Sequence, residues 1–216
     1  MVDRELDCMS CGSYNCDRRD KSYPEFCLTT KTDKDLIMYV QELYLNDPEV
    51  SKITSASADV EGNYYGKLTR VEEIILFAKK IGAQKIGIAT CLGLVNEAKI
   101  FAKIVQAKGL KCFGVVCKVG SVDKTAIGIP EESKVKKGCF EATCNPILQA
   151  KLLEKEKTEL NVLVGLCVGH DSLFIKYSHA PVTILLTKDR VLGHNPAAAL
   201  YTSSFYYKRL LEQKDI

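Results

Sequence analysis

Beyond Gly82 the chain alternates short apolar runs with segments whose apolar residues recur every three or four positions. The runs predict strands over residues 85–90, 111–117, 161–167 and 182–186, and the segments between them predict helices. Strands this apolar, separated by helices, indicate a mainly parallel sheet covered on both faces. The predicted fold class is therefore α/β, doubly wound and Rossmann-like.

The pattern before Gly82 is less regular. A helix is predicted from Thr32 to just before Pro48, and residues 55–66 lack a clear period and predict a loop. Thr69 and Glu72 form a capping-box pair, which predicts the start of a further helix.

After the fourth predicted strand the sequence turns at residues 188–190 and predicts a short extra strand at 191–192. Asn195 followed by Pro196 then predicts the start of a last helix, running to about residue 211.

The first 30 residues are polar, lack apolar periodicity and carry a C-x2-C-x4-C-x10-C pattern. Its members are Cys8, Cys11, Cys16 and Cys27. Four thiolates suffice for one zinc ion or, alternatively, one iron–sulfur cluster, and the spacing does not decide between them. The opposing interpretation is a tail of free thiols. We predict a metal-binding segment over residues 1–30 and an α/β domain over residues 31–216, with the metal ordering a segment that has no core.

Composition and charge narrow the functional classes. Ten cysteines stand beside three histidines and no tryptophan, and the net charge is +3 with no basic block, so we do not expect a nucleic acid partner. The apolar runs fall short of the about 18 to 20 residues of a membrane span, and the N-terminus has no apolar leader. We therefore expect a cytoplasmic protein with no membrane partner, in which the cysteines serve metal or thiol chemistry rather than disulfides.

A second set of candidates emerges once the strands are placed, because the carboxyl ends of parallel strands share one edge of the sheet. Cysteines stand at or just after the ends of three predicted strands, a cysteine and two histidines precede predicted helix starts, and one more cysteine lies in a loop nearby. The catalytic candidates are Cys91, Cys144, Cys167 and His170, and the cofactor-binding candidates are Cys117, Cys139 and His194. A thiolate before a helix start is stabilised by the positive helix end.

Two hypotheses follow for this edge. In the first, one of the thiols is the nucleophile or redox group of an enzyme, acting with a histidine as acid or base on an unknown small molecule. In the second, the edge is a metal or cluster carrier, or a sensor, without turnover. No G-x-G-x-x-G follows a strand and no G-x-S-x-G exists, which argues against a dinucleotide site and a nucleophile elbow.

Several stretches together resemble a known family. They are the cysteine-rich start, Cys91, and residues 117–120, 144–146, 165–174 and 188–196. The family is one of domains of unknown function, described as cysteine-rich metal-binding proteins and found mainly in anaerobic bacteria and archaea, and the resemblance covers nearly the whole chain. It implies metal binding and supplies no reaction.

Overall fold

A computed structural model describes residues 6–212 of the chain. Residues 1–5 and 213–216 lie outside the described residues, and they include the N-terminal stretch on which the prediction of a cytoplasmic protein depends. The chain forms two compact units with a sequence boundary between Ala58 and Asp59, and each is described by itself. The proposed division at residue 30 stays a prediction.

The first unit is helical. Its helices are α1 (Asn15–Arg18), α2 (Leu28–Lys31), α3 (Lys34–Asn46) and the larger part of α4 (Pro48–Tyr64). Asp33 caps α3, accepting a hydrogen bond from the amide of Asp35 at 2.9 Å. In the segment before α2, the buried Asn15 clamps the loop through two hydrogen bonds with the backbone of Lys21, at 2.6 and 2.8 Å.

The prediction of a loop over residues 55–66 is wrong, because α4 continues through these positions to Tyr64. Asp47 starts this helix firmly by accepting hydrogen bonds from the amides of Glu49 and Val50, at 2.9 and 3.0 Å. No proline follows within the helix, and the Asn63 side chain bonds to Asp59 one turn earlier. A lone glycine at position 62 lowers helix propensity but does not end a capped helix.

The second unit contains a four-stranded, all-parallel sheet in the order β2-β1-β3-β4. The strands are β1 (Lys85–Thr90), β2 (Lys111–Val116), β3 (Leu160–Val164) and β4 (Val182–Leu186). The helices are α5 (Arg70–Lys80), α6 (Val95–Ala107), α7 (Pro146–Lys155), α8 (His170–Tyr177) and α9 (Ala197–Tyr201). The predicted α/β parallel-sheet fold class is confirmed, as is the capping box of Thr69 and Glu72 at the start of α5.

The strand order places a topological switch point between β1 and β3. The chain leaves β1 towards β2 on one side and later returns past β1 to β3 on the other, so the loops after β1 and β3 diverge. A crevice at the carboxyl ends of such strands is the usual ligand site of an open parallel sheet. The helix α6 packs on β1 and β2, and α7 packs on the same two strands and on α8.

The core beneath this crevice is apolar and includes thiols. The residues buried together are Ala89, Cys91, Val115, Cys117, Ala150, Leu153, Leu163, Leu166 and Phe174. Cys144 and Cys167 pack against the same cluster and are only partly buried. The four edge thiols therefore share one apolar environment.

The C-terminal predictions are wrong in two places. Residues 191–192 form a turn instead of an extra strand, and the last helix ends at Tyr201, followed by a separate 3-10 turn at Lys208–Leu211. The hydroxyl of Thr202 donates to the carbonyl of Ala198 at 2.6 Å, and Ser203 donates to the carbonyl of Leu200 at 2.9 Å. Such local bonds compete with helix continuation.

Within residues 6–212, no helix has both the length and the apolar character that crossing a membrane requires.

The strand β3 is shorter than predicted, because Gly165 turns the chain at a φ of +70°. A Cβ atom at this position would overlap Cδ1 of Leu94, a side chain that is 1% exposed. Gly165 therefore sets the close approach of the loops after β1 and β3.

We expect Gly165→Ala to lower the free energy of unfolding by about 2–4 kcal/mol, combining left-handed backbone strain with overpacking against Leu94. The matched control is Gly109→Ala, where φ is +82° and nothing lies within 4 Å of the added Cβ. The control should lose only about 1–2 kcal/mol for strain. Denaturant unfolding of both variants measures the difference, and equal losses would contradict a packing role for Gly165.

Candidate active site at the carboxyl edge of the sheet

Cys91 and Cys117 are fixed to the sheet by their own backbones. The amide of Cys117 donates to the carbonyl of Thr90 at 2.8 Å, and the amide of Cys91 donates to the carbonyl of Val164 at 3.4 Å. These bonds continue the parallel ladders one residue past the ends of the strands. Both thiols are consequently held at the crevice, buried on the face that α7 covers.

Cys144 reaches this edge on the long connection between β2 and α7. The amide of Asn145 donates to the carbonyl of Cys117 at 2.7 Å, which fastens the two cysteine backbones side by side. The Asn145 side chain caps α7 by accepting from the amide of Leu148 at 3.0 Å, and Pro146 occupies the first turn. The Sγ atoms of Cys117 and Cys144 lie 3.8 Å apart, within hydrogen-bonding contact.

The connection that carries Cys144 is braced by ion pairs to one buried lysine. The Nζ atom of Lys134 lies 2.9 Å from a carboxylate oxygen of Asp123 and 2.9 Å from one of Glu131. It also donates to the carbonyl of Cys139 at 3.1 Å. The hydrogen bond from Lys134 is the main reason that the pKa of Asp123 lies far below its usual range. The lysine and its two carboxylates therefore stay charged together, which holds the loop in one arrangement.

The thiol pair is polarised towards a thiolate on Cys144. The hydrogen bond with Cys117 is the largest cause that lowers the pKa of Cys144, followed by the hydrogen bond with His170. The charge and hydrogen bond of Lys118 act in the same direction, against desolvation. Conversely, the pKa of Cys117 is raised, first by its hydrogen bond with Cys144 and then by burial. The single proton of the ionised pair therefore resides on Cys117.

A backbone amide acts on Cys117 from the other side and lowers its pKa, against the effects of Cys144 and burial. The 3-10 turn Leu92–Leu94 follows β1, and the amide of Leu92 donates to Sγ of Cys117 at 3.3 Å. A polarised chain results, running from the Leu92 amide through the Cys117 sulfur to the Cys144 sulfur. With both thiols protonated, Cys144 donates to Cys117, and once Cys144 ionises the remaining proton of the pair is held on Cys117.

Cys167 contributes a third sulfur with a cation of its own. Nη2 of Arg190 lies 2.9 Å from Sγ of Cys167. Desolvation is the largest effect on the pKa of Cys167 and raises it, Arg190 opposes that effect, and the charges of Cys91 and Cys144 raise it further. The thiols thus compete for negative charge, and Cys144 is the one that holds it.

His170 stands at the first position of α8, after Gly169 with a φ of +80°. The turn anchors its amide to the carbonyl of Cys167 at 2.9 Å. Its side chain is half-buried and lies near enough to Cys144 to lower the pKa of that thiol. The structure therefore brings together Cys91, Cys117, Cys144, Cys167 and His170.

The two remaining candidates, Cys139 and His194, lie outside this group of thiols. Cys139 is exposed and lies outside the buried thiol cluster. His194, at a φ of +67°, uses Nδ1 to accept from the amide of Asp189 at 3.1 Å, so its ring closes the turn over residues 189–194. The assignment of these two residues to cofactor binding stays a prediction.

The N-terminal cysteines lie in the first unit. Cys8 and Cys16 are exposed, and Cys11 and Cys27 are partly buried. The hydrogen bond with Ser13 is the main cause that lowers the pKa of Cys11, which favours its thiolate. The donors are of the kind that zinc or an iron–sulfur cluster takes, yet within residues 6–212 no three His, Cys, Asp or Glu side chains are gathered as a metal site.

Sequence reasoning missed three groups of the site. They are the ammonium of Lys118, the guanidinium of Arg190 and the amide of Leu92. The first two had a usable signal, because cations that directly follow parallel strands lie at the same edge as the thiols that end those strands. The amide had none, since its role depends on the three-dimensional turn.

Fold and site together define a parallel-sheet α/β protein with a thiol-lined carboxyl edge. The model of a family described as a protein of unknown function (DUF1847) matches residues 27–185, and the chain belongs to that family. The chain is also 49% identical over 191 residues to the uncharacterized protein MJ0455 of Methanocaldococcus jannaschii, covering 88% of this chain and 96% of that protein. The resemblance to a family of unknown function is thus confirmed at that level.

We expect alkylation of Cys144 to follow a pH profile with an inflection well below the about 8.5 of a free cysteine. Because a lowered pKa keeps the thiolate populated on acidification, the reaction should persist at mildly acidic pH. Cys117→Ala and His170→Ala should each move the inflection to higher pH, since each removes a hydrogen bond to the thiolate. Peptide mapping by mass spectrometry after timed iodoacetamide labelling measures the rate at this one residue.

Cys112→Ala and the exposed His179→Ala serve as matched controls for this profile. Cys112 lies in β2 and donates to the carbonyl of Ala102 in α6, on the far face of the sheet. Both controls should leave the inflection in place. An inflection near the free-cysteine value in the unmodified protein would contradict the thiolate assignment.

Proposed function

We propose that the protein is a thiol-dependent redox enzyme in which Cys144 is the nucleophile and Cys117 the resolving thiol. The observation that carries the proposal is the pair of sulfurs 3.8 Å apart, whose pKa values are displaced in opposite directions. Dithiol–disulfide exchange requires two neighbouring thiols with different pKa values, because one attacks as a thiolate while the other stays protonated until it resolves the mixed disulfide.

In the first step the Cys144 thiolate attacks one sulfur of a substrate disulfide. A mixed disulfide bond forms to Cys144 as the substrate S–S bond breaks, and its other half leaves as a thiolate carrying the electron pair. Lys118 is placed to stabilise the negative charge on the Cys144 sulfur before it attacks. The leaving thiolate then takes up a proton, which His170 is placed to supply when it is protonated.

In the second step Cys117 attacks the Cys144 sulfur, and the proton that Cys117 gives up is taken up by the departing substrate thiolate. The mixed disulfide breaks, the second substrate half leaves as a thiolate, and a Cys117–Cys144 disulfide forms. The sulfurs approach from 3.8 Å to about 2.05 Å, the length of a disulfide bond. The substrate gains two electrons and the dithiol loses two, and an external thiol reductant restores the dithiol by exchange.

The exchange reaction predicts a trapped intermediate. We expect Cys117→Ser to accumulate a mixed disulfide on Cys144 when the protein is mixed with a small aromatic disulfide, because the resolving thiol is absent. The unmodified protein should instead accumulate the Cys117–Cys144 disulfide. Non-reducing peptide mapping distinguishes the two linkages even though other cysteines also react.

Cys139→Ser is the control for this experiment and should behave as the unmodified protein does. Cys144→Ser should lower turnover of the disulfide by about 10²-fold or more, as expected for loss of a covalent nucleophile. A mixed disulfide that persists on Cys144 even with Cys117 intact would contradict the resolving role.

A second function concerns the first unit. We propose that Cys8, Cys11, Cys16 and Cys27 bind one zinc ion or, alternatively, one iron–sulfur cluster. The favouring observation is the lowered pKa of Cys11, because the thiolate is the form that binds metal. Binding requires the four sulfurs to move together, since they are not gathered as a site in the described residues.

Metal analysis of protein purified without oxygen tests this second function. We expect the double variant Cys8→Ser/Cys11→Ser to lose about one metal ion or cluster per chain and to become protease-sensitive over its first 30 residues. The control Cys139→Ser should keep its metal. Unchanged metal content in the double variant would contradict the proposal.

A further inference from the structure

Three cationic side chains surround the thiols at the carboxyl edge. Lys118 directly follows Cys117 after β2, and Lys188 and Arg190 follow β4. They arrive from connections on both sides of the central strands β1 and β3. The edge therefore concentrates positive charge from separate parts of the sequence.

Each cation lies against a part of the thiol site. The Nζ atom of Lys118 donates to the carbonyl of Ala142 at 2.5 Å, and its charge lowers the pKa of Cys144. Arg190 contacts Cys167, as described above. The ammonium of Lys188 lies 2.8 Å from the position that a Cβ on Gly93 would take, within the turn whose first amide donates to Cys117.

These charges lack carboxylate partners. Within residues 6–212, none of the three cations has a carboxylate oxygen at ion-pair distance, although Lys188 is half-buried. The buried Lys134, by contrast, holds two carboxylates. The nearest acid in sequence, Asp189, accepts instead from the amides of Val191 and Leu192, at 2.9 and 2.8 Å.

Three cations placed close together without carboxylate partners repel one another, which is electrostatically unfavourable. Lys118 and Lys188 are partly buried, whereas Arg190 is exposed. Partly buried charges are normally paired, and unpaired cations beside a nucleophile commonly mark the place of an anionic ligand. The Cys144 thiolate offsets one of the three charges. Two positive charges remain for an incoming group.

We propose that the crevice binds an anionic small molecule, whose carboxylate or phosphate contacts Lys188 and Arg190 while its electrophilic atom faces Cys144. This inference rests on the proposed function, because it assigns the substrate class of the same thiol. Arg190 offers a planar fork that suits two oxyanion oxygens, and Lys188 adds a point charge beside it. The substrate disulfide would thus carry at least one acidic group.

A pair of reagents of nearly equal size tests the charge preference directly. Iodoacetate and iodoacetamide both react by attack of the Cys144 thiolate on carbon, forming a C–S bond while iodide leaves with the electron pair of the C–I bond. They differ in carrying a carboxylate or a neutral amide. We expect the ratio of the iodoacetate rate to the iodoacetamide rate at Cys144 to exceed that of a cysteine peptide by about ten-fold or more.

Substitution and salt then locate the source of the preference. Lys188→Gln/Arg190→Gln should lower the ratio about ten-fold at low ionic strength, and about 1 M salt should lower it similarly in the unmodified protein. Lys103→Gln, an exposed residue of α6, is the matched control for loss of a surface charge and should keep the ratio. The ratio cancels any change in the thiolate fraction, because both reagents attack the same thiolate.

The possible outcomes separate the two proposals. Rapid reaction of Cys144 with both reagents, at the peptide's ratio or at one that the double variant leaves unchanged, would overturn the anionic substrate and leave the nucleophile intact. If Cys144 reacts no faster than a free cysteine with either reagent at mildly acidic pH, the proposed function fails, and the substrate class fails with it.

Discussion

The hydrogen bond between the sulfurs of Cys117 and Cys144 is the interaction on which the rest of the site depends. One proton serves two sulfurs, and the more exposed sulfur, with His170 and Lys118 beside it, carries the charge. Cys117 keeps the proton because its hydrogen bond with Cys144 and its burial raise its pKa, and together they outweigh the Leu92 amide, which favours the Cys117 thiolate. Attack by one sulfur and resolution by the other follow from this asymmetry.

In the part of the chain that the structure describes, Lys134 is paired with carboxylates, whereas Lys188 and Arg190 are not. In the connection between β2 and α7, Lys134 is enclosed and neutralised by Asp123 and Glu131, and this network fixes the path of the chain. At the crevice, Lys188 and Arg190 stand without carboxylates among the described residues. The first arrangement stabilises structure, and the second leaves attraction available for a ligand.

Local rules predicted the sheet and part of the site well. Apolar runs set the four strands, and the common edge of parallel strands brought Cys91, Cys117 and Cys167 into one group. The Asn145–Pro146 signal placed Cys144 just ahead of α7, where the structure has it. These predictions succeed because they depend on strand direction and helix capping, which are encoded within a few residues.

The rest depends on contacts between distant residues. The pairing of Cys117 with Cys144 requires the long connection to return to its starting point, and the ion pair between Lys134 and Asp123 that braces it has no local pattern. The helix predicted to run to residue 211 fails for a different reason. There the helix starts after Pro196, but the hydroxyls of Thr202 and Ser203 bond back to the preceding turn and compete with its continuation.

The contact that seats Cys144 beside Cys117 belongs to the main chain, running from the Asn145 amide to the Cys117 carbonyl at 2.7 Å. Any amino acid except proline supplies that amide, so most substitutions of nearby side chains leave the spacing of the two sulfurs unchanged. Among the described residues, the side chains of Lys188 and Arg190 have no hydrogen bond to the main chain that would anchor them in the same way. Over evolutionary time the reacting pair can therefore stay constant while the preference for what it reacts with is retuned.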